Sequence, residues 1–149
     1  MKLISQPADA YFGEISLEWN KAFSALRSEQ MQQAQCFIDN MCIKLMVPYT
    51  PMLTGALYKS ATLGTVIGSG SIKYNSPYAR YQYYGKLMVS SITGSAYATA
   101  GESKVLTDKD LVYNKSAHPL AGRFWFERMK ADHKEQILRG AIRFVGGTI

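Results

Sequence analysis

The chain has 149 residues, which suits one domain able to bury an ordinary core without metals or disulfides. With 47% apolar and 19% charged residues it is globular rather than disordered. The formal charge of +6 is compatible with an acidic protein partner or with nearby nucleic acid, but the basic residues are spread along the chain and no nucleic-acid motif accompanies them.

In chain order, Met1 to Ala10 carries Lys2 and lacks the apolar stretch of a secretory leader. No later run approaches the roughly 20 apolar residues of a membrane span, so no membrane partner is expected. From about Leu17 to Met46, apolar residues recur every three or four positions: Trp19, Phe23, Leu26, then Ala34, Phe37 or Ile38, Met41 and Leu45. Val47-Pro48 ends this helix, because proline disfavours helical geometry in the residue before it. Its middle is polar (Gln30, Gln32, Gln33, Gln35). Either the helix breaks near Ser28, or one long helix overhangs the core toward a partner, which is the preferred reading. Cys36 and Cys42, both on this helix, match no zinc or redox spacing and are expected to be buried free thiols.

Tyr49 to Leu53 reads as a loop, and Thr54-Gly55 as the start of a short helical turn capped by the Thr54 hydroxyl. Ala61–Ile67 and Ser71–Asn75 are rich in β-branched and aromatic residues around Gly68-Ser69-Gly70, which predicts a β-hairpin. Tyr78–Tyr84 is a short aromatic helix, opened by Pro77 and closed by Gly85. Residues 86–110 form the least patterned stretch, a long flexible loop with weak strand at Leu87–Ile92; loops this long are more often functional than plain connections. Leu111–Asn114 suggests a third strand. A final amphipathic helix spans Arg123–Val145 and stops at Gly146-Gly147. The fold class is α+β: long N-terminal helix, small antiparallel sheet with a short aromatic helix and a long loop, C-terminal helix, in one domain over 1–149.

A search for catalytic constellations finds none. His118 and His133 stand alone; the first suits a turn, the second a core boundary. The glycines 64, 68 and 70 lack the lysine and hydroxyl that a phosphate loop requires, and no G-x-S-x-G occurs. No enzyme activity, cofactor or metal is expected. More telling are Tyr74, Tyr78, Tyr81, Tyr83 and Tyr84, interleaved with Lys73, Arg80 and Lys86. They can be a core wedge with Tyr81 and Tyr84 packing inward, an interface rich in hot-spot residue types, or a platform for stacking bases.

Three groups of residues carry a resemblance. They are Thr54-Gly55-Ala56-Leu57 with Ser60; Ile72-Lys73-Tyr74 leading to Ser76-Pro77-Tyr78-Ala79-Arg80-Tyr81-Gln82-Tyr83-Tyr84-Gly85-Lys86; and His118-Pro119-Leu120-Ala121-Gly122 with Trp125-Phe126-Glu127-Arg128. From about Val47 to Lys130 the chain resembles the minor capsid or head–tail neck proteins of long-tailed bacteriophages, similar to the tail-completion group typified by the tenth gene product of phage HK97. The resemblance implies a bacteriophage virion structural protein without catalytic residues, made and assembled in the host cytoplasm. It would form an oligomeric ring, a hexamer, in the neck, joining the portal-side connector or head-closure protein to the tail terminator or tube protein. Head closure and tail termination are alternative layers of the same neck, and a non-specific DNA-binding module is an alternative of another class. The expected partner-interface residues are Tyr78, Arg80, Tyr83, Tyr84, Lys86, Lys104 and Lys109; the lysines would touch genomic DNA phosphates if the loop at 86–110 faces the channel. The overhanging first helix and that loop are the candidate ring surfaces, since a closed ring needs two different complementary patches.

Overall fold

In the computed structural model, which describes residues 10–12, 15–17 and 20–146, the first two elements are short antiparallel strands, β1 (Ala10–Phe12) and β2 (Ile15–Leu17). Leu17, expected at the start of the long helix, is thus in a strand, and Trp19 lies outside the described residues. Helix α1 runs Lys21–Met46 as one unbroken element. Its start is set by Asn20, whose side chain accepts from the free amides of Ala22 (3.0 Å) and Phe23 (3.2 Å), the usual way to satisfy an N-terminal turn. From Lys21 to Glu29 only Ser24 is buried, while Phe23 and Leu26 remain about half exposed (52% and 53%). The overhang is tethered, however, because the Arg27 guanidinium donates to the Val145 carbonyl (2.9 Å).

A 3-10 turn, Val47–Tyr49, follows with Pro48 inside it, so the expected loop begins one turn later and Tyr49 is buried. Helix α2 (Ala56–Gly64) is longer than the turn expected there, and it takes in most of the segment read as the first arm of a hairpin. That reading is corrected. Ser60 and Ala61 face inward, and the chain returns so close to Gly64 that a Cβ there would meet the Lys73 carbonyl at 2.6 Å. In place of a strand ladder, the Thr65 hydroxyl accepts from the Lys73 amide (2.9 Å) and donates to its carbonyl (3.4 Å). Helix α3 (Ala79–Tyr84) closes on Gly85 in left-handed geometry (φ 73°), as predicted.

Residues 86–110 are a β-hairpin, β3 (Lys86–Ser90) against β4 (Lys104–Asp110): the weak strand expected at Leu87–Ile92 is largely β3, and the expected long loop shrinks to the connection over 91–103. Its connection is stitched locally: the buried Ser90 hydroxyl donates to Glu102 (2.6 Å) and accepts from the Ile92 and Thr93 amides. The expected third strand does not form. The ladder stops at Asp110, and Leu111 adds one bond to the Gly85 carbonyl (2.8 Å).

Helix α4 (Trp125–Ile142) crosses α1, followed by a 3-10 turn, Arg143–Val145, that ends at Gly146 (φ 73°). Trp125, Met129, Ile137 and Ala141 form its buried stripe at helical spacing. Trp125, Met129 and Ile137 meet Cys42, Met46 and Tyr49, so the core joins the end of α1 to α4. Trp125 and Met129 are 1% and 0% exposed, and burial of each contributes about 1.5–3 kcal/mol. Cys42 is buried as expected, and burial pushes its thiol pKa up; Cys36 is only half buried, beside Gln32. Among the described residues no helix is long and apolar enough to cross a membrane.

Candidate assembly surface

The tyrosine-rich turn and the head of α4 build one surface. Gly85 ends α3 and turns the chain into β3, leaving the Tyr83 carbonyl free to accept from the Phe124 amide (2.9 Å). That bond helps hold Phe124 in left-handed geometry (φ 51°, ψ 45°), where it is the only non-glycine residue with positive φ among those described. Helix α4 therefore starts at Trp125 rather than at Arg123.

Four aromatic rings meet at this junction. Tyr83 lies edge-on to Trp125 (centroids 4.7 Å), Tyr84 (5.4 Å) and Phe124 (5.6 Å), and Tyr84 is edge-on to Phe124 (6.0 Å). Perpendicular pairs of this kind contribute roughly 0.5–1.5 kcal/mol beyond area burial. Tyr83 points inward and donates its hydroxyl to Glu127. Burial first, and that bond to the carboxylate second, push its pKa well above the usual tyrosine value. Burial raises Tyr74 in the same direction. Both phenols are therefore protonated at neutral pH and serve as packing groups. The inward pair expected from the sequence, Tyr81 with Tyr84, is corrected: Tyr83 takes the core position and Tyr84 is 53% exposed.

Behind the rings runs a groove of about 440 Å³ between α1, the Gly70–Tyr74 segment, α3 and α4. Ile38, Met46, Ile72 and Phe126 supply much of its apolar lining, and Arg80 and Tyr84 stand at its side. Asp39 closes one wall. Its buried carboxylate accepts from the Gly68 amide (2.7 Å), the Gly70 amide (3.1 Å) and the Gln35 side chain (2.8 Å), which pins the Gly68–Gly70 turn onto α1.

The seven expected interface residues separate into two sets. Tyr78 (63% exposed), Arg80, Tyr83 and Tyr84 share α3 or its start. The lysines lie on the hairpin and are mostly engaged. Lys86 pairs with Asp110 (2.8 Å), which holds that carboxyl below its usual pKa, and Lys104 donates to the Ala96 carbonyl (2.8 Å). Lys109 is exposed. Sequence reasoning missed Phe124, Arg123 and Asp39. The Arg123 guanidinium lies 5.7 Å from the Phe124 centroid, at cation–π range. No short motif marks a phenylalanine for left-handed geometry, nor a mid-helix aspartate as the acceptor for a turn far along the chain. The two histidines have structural partners: His118 Nδ1 with the Thr50 carbonyl (2.7 Å), and His133 Nε2 with the Tyr49 hydroxyl (3.3 Å).

A surface of exposed rings, an Arg80 guanidinium without a partner among the described residues and an apolar groove is suited to holding another macromolecule. A protein-family model described as minor capsid protein matches residues 14–144. The chain belongs to this family. No curated protein and no solved structure matches it. As a minor capsid protein it has a structural role in a bacteriophage and a place in the virion. The match takes in α1, the tyrosine-rich turn and α4, so every wall of the groove belongs to the family region.

Proposed function

We propose that this minor capsid protein is a non-catalytic subunit of the phage neck. In this reading it assembles as a hexameric ring between the portal-side connector and the tail tube, and completes the tail. The observation that carries the proposal is family membership together with two separate exposed apolar patches: Phe23 and Leu26 on the overhang of α1, and Val105 and Leu106 on β4. A closed ring uses such unlike patches, one on each side of every subunit. Head closure and tail termination are neighbouring layers that the same patches would suit.

Imaging of purified virions at a resolution that traces side chains tests the assignment. Six copies in a ring at the neck are expected, and density for this chain at any other place in the particle would sink it. For the alternative of non-specific DNA binding, duplex binding by the free subunit that weakens steeply with salt is the signature.

A further inference from the structure

We propose that the strip Arg80–Tyr84–Phe124–Arg123, with the groove behind it, docks an acidic segment of another protein that carries an apolar anchor side chain. The inference rests on the reading of the chain as an assembly subunit but not on which neck layer it occupies. The strip is continuous. Arg80 and Tyr84 are one helical turn apart on α3 and border the same groove, Tyr84 meets Phe124, and Arg123 stacks over Phe124. Arg80 is exposed and makes no ion pair or hydrogen bond among the described residues, and the Arg123 guanidinium makes its cation–π contact to Phe124 and exerts a field felt by Asp110 and Tyr113, with no ion pair or hydrogen bond of its own among the same residues. Two guanidiniums with donors to spare therefore flank two exposed rings, an arrangement that matches carboxylates on either side of an apolar residue.

The strained backbone at Phe124 is an independent observation pointing the same way. Glycine would occupy that left-handed position without steric cost. A phenylalanine there is held by two hydrogen bonds, from its own amide to Tyr83 and from the Arg128 amide to its carbonyl (3.1 Å). The core gains its buried aromatic from the next residue, Trp125, while the Phe124 ring stays 37% exposed. Backbone strain spent on keeping a ring at the surface is the kind found at binding sites.

Charge and geometry choose among occupants. Bases stack on flat, open ring faces, whereas Tyr83, Tyr84 and Phe124 lie mutually perpendicular (84–90°) and occupy one another's faces. A second copy is a poor acidic partner, since each carries a formal charge of +6. An acidic segment of a different protein satisfies the arginines and fills the groove with its anchor.

Fluorescence anisotropy on the 149-residue chain tests this with labelled dodecapeptides built around a central phenylalanine and flanked by glutamates, by glutamines or by lysines. An oligo-dT dodecamer and sedimentation of the protein alone complete the set. The glutamate peptide should bind at least about tenfold more tightly than the glutamine peptide, a difference on the order of 1.4 kcal/mol. The preference should vanish in the R80Q/R123Q double variant, whose changes are on the surface, and F124G should weaken both peptides alike. Circular dichroism confirms that each variant folds. Equal affinity for the glutamate and glutamine peptides, or no binding of either, overturns the proposal. So does tighter binding of oligo-dT through the same arginines, or self-association abolished by R80Q/R123Q. Virion imaging that places the chain outside the neck would refute the ring assignment and leave this result standing.

Discussion

Asp39 offers the sharpest test of how the groove is held open. Its carboxylate accepts two backbone amides, from Gly68 and Gly70, and one side-chain donor, Gln35. In D39N the remaining oxygen still accepts both glycine amides if Gln35 turns its own amide round. The loss is then the difference between charge-assisted and neutral bonds, roughly 1 kcal/mol per bond, partly offset because a neutral group costs less to bury. A net loss of about 1 kcal/mol is expected. D39A removes the acceptor altogether and deprives both amides, which raises the loss to about 3 kcal/mol. For a protein of this size those figures correspond to about 3 and 9 °C in Tm. Thermal unfolding read by circular dichroism gives the order, and hydrogen exchange at Gly68 and Gly70 gives the cause: protection should fall modestly in D39N and collapse in D39A. If D39A is no worse than D39N, or if the two amides exchange as in the parent, the turn is not held by Asp39 and the reasoning fails.

Other perturbations probe the rest of the fold. A Cβ at Gly140 would sit 2.2 Å from the Phe37 ring, so G140A should cost about 1 kcal/mol net, crowding outweighing the better helix propensity. In an F37L background the same change should turn into a gain of up to ~1 kcal/mol, and a double-mutant cycle that shows no such reversal would discard the close packing of α1 on α4. Asp110 and Glu102 both have lowered pKa values, from hydrogen bonds donated by Lys86 in one case and by Ser90 and Thr99 in the other. Their contribution is present above the ordinary carboxyl pKa of about 4 and lost as pH falls through the lower folded values. Amide protection in β3 and β4, taken relative to intrinsic exchange at each pH, should therefore fall in acid, less so in K86M; identical acid profiles would count against the pairing. Tyr83, Tyr74 and Tyr113 titrate above the ordinary value because burial favours the neutral phenol. The stability they contribute is complete below pH about 10 and declines as pH rises beyond it, which tyrosinate absorption measured alongside unfolding will follow. Y83F should flatten that decline, and an unchanged alkaline profile would refute the assignment.

Elements whose signal is local were readable from the sequence. Helix α4 announces itself through the spacing of Phe126, Met129, Ile137, Ala141 and Phe144, although the structure buries Trp125 in place of Phe126 and leaves Phe144 exposed, and α3 announces itself through Pro77 and Gly85. The mistaken hairpin at 61–75 shows where such reading stops. Ala-Thr-Leu-Gly-Thr-Val-Ile has strand-forming residues, yet Ser60 and Ala61 had an inward place on α2, and tertiary packing overrode propensity. The reverse happened at 86–110, where Ser, Thr and Gly hid a ladder that depends on cross-strand pairing and on Ser90 and Glu102 meeting at the turn. Of the candidate surface, Tyr84 and Arg80 could be named from composition alone. Phe124 could not, because its geometry follows from a hydrogen bond to Tyr83, a residue far away in the chain.

The core described above unites Met46 and Tyr49 with Trp125 and Met129, and this has a consequence for birth on the ribosome. At ~5–20 residues per second the roughly 75 residues between Tyr49 and Trp125 take on the order of 4–15 seconds to synthesise. Through that interval the apolar end of α1 is without Trp125, Met129 and Ile137, the core residues that α4 brings to it. The nascent chain is thus open to capture until α4 emerges. The groove and the Tyr84–Phe124 junction, which both need the head of α4, are therefore the last parts of the fold to be completed.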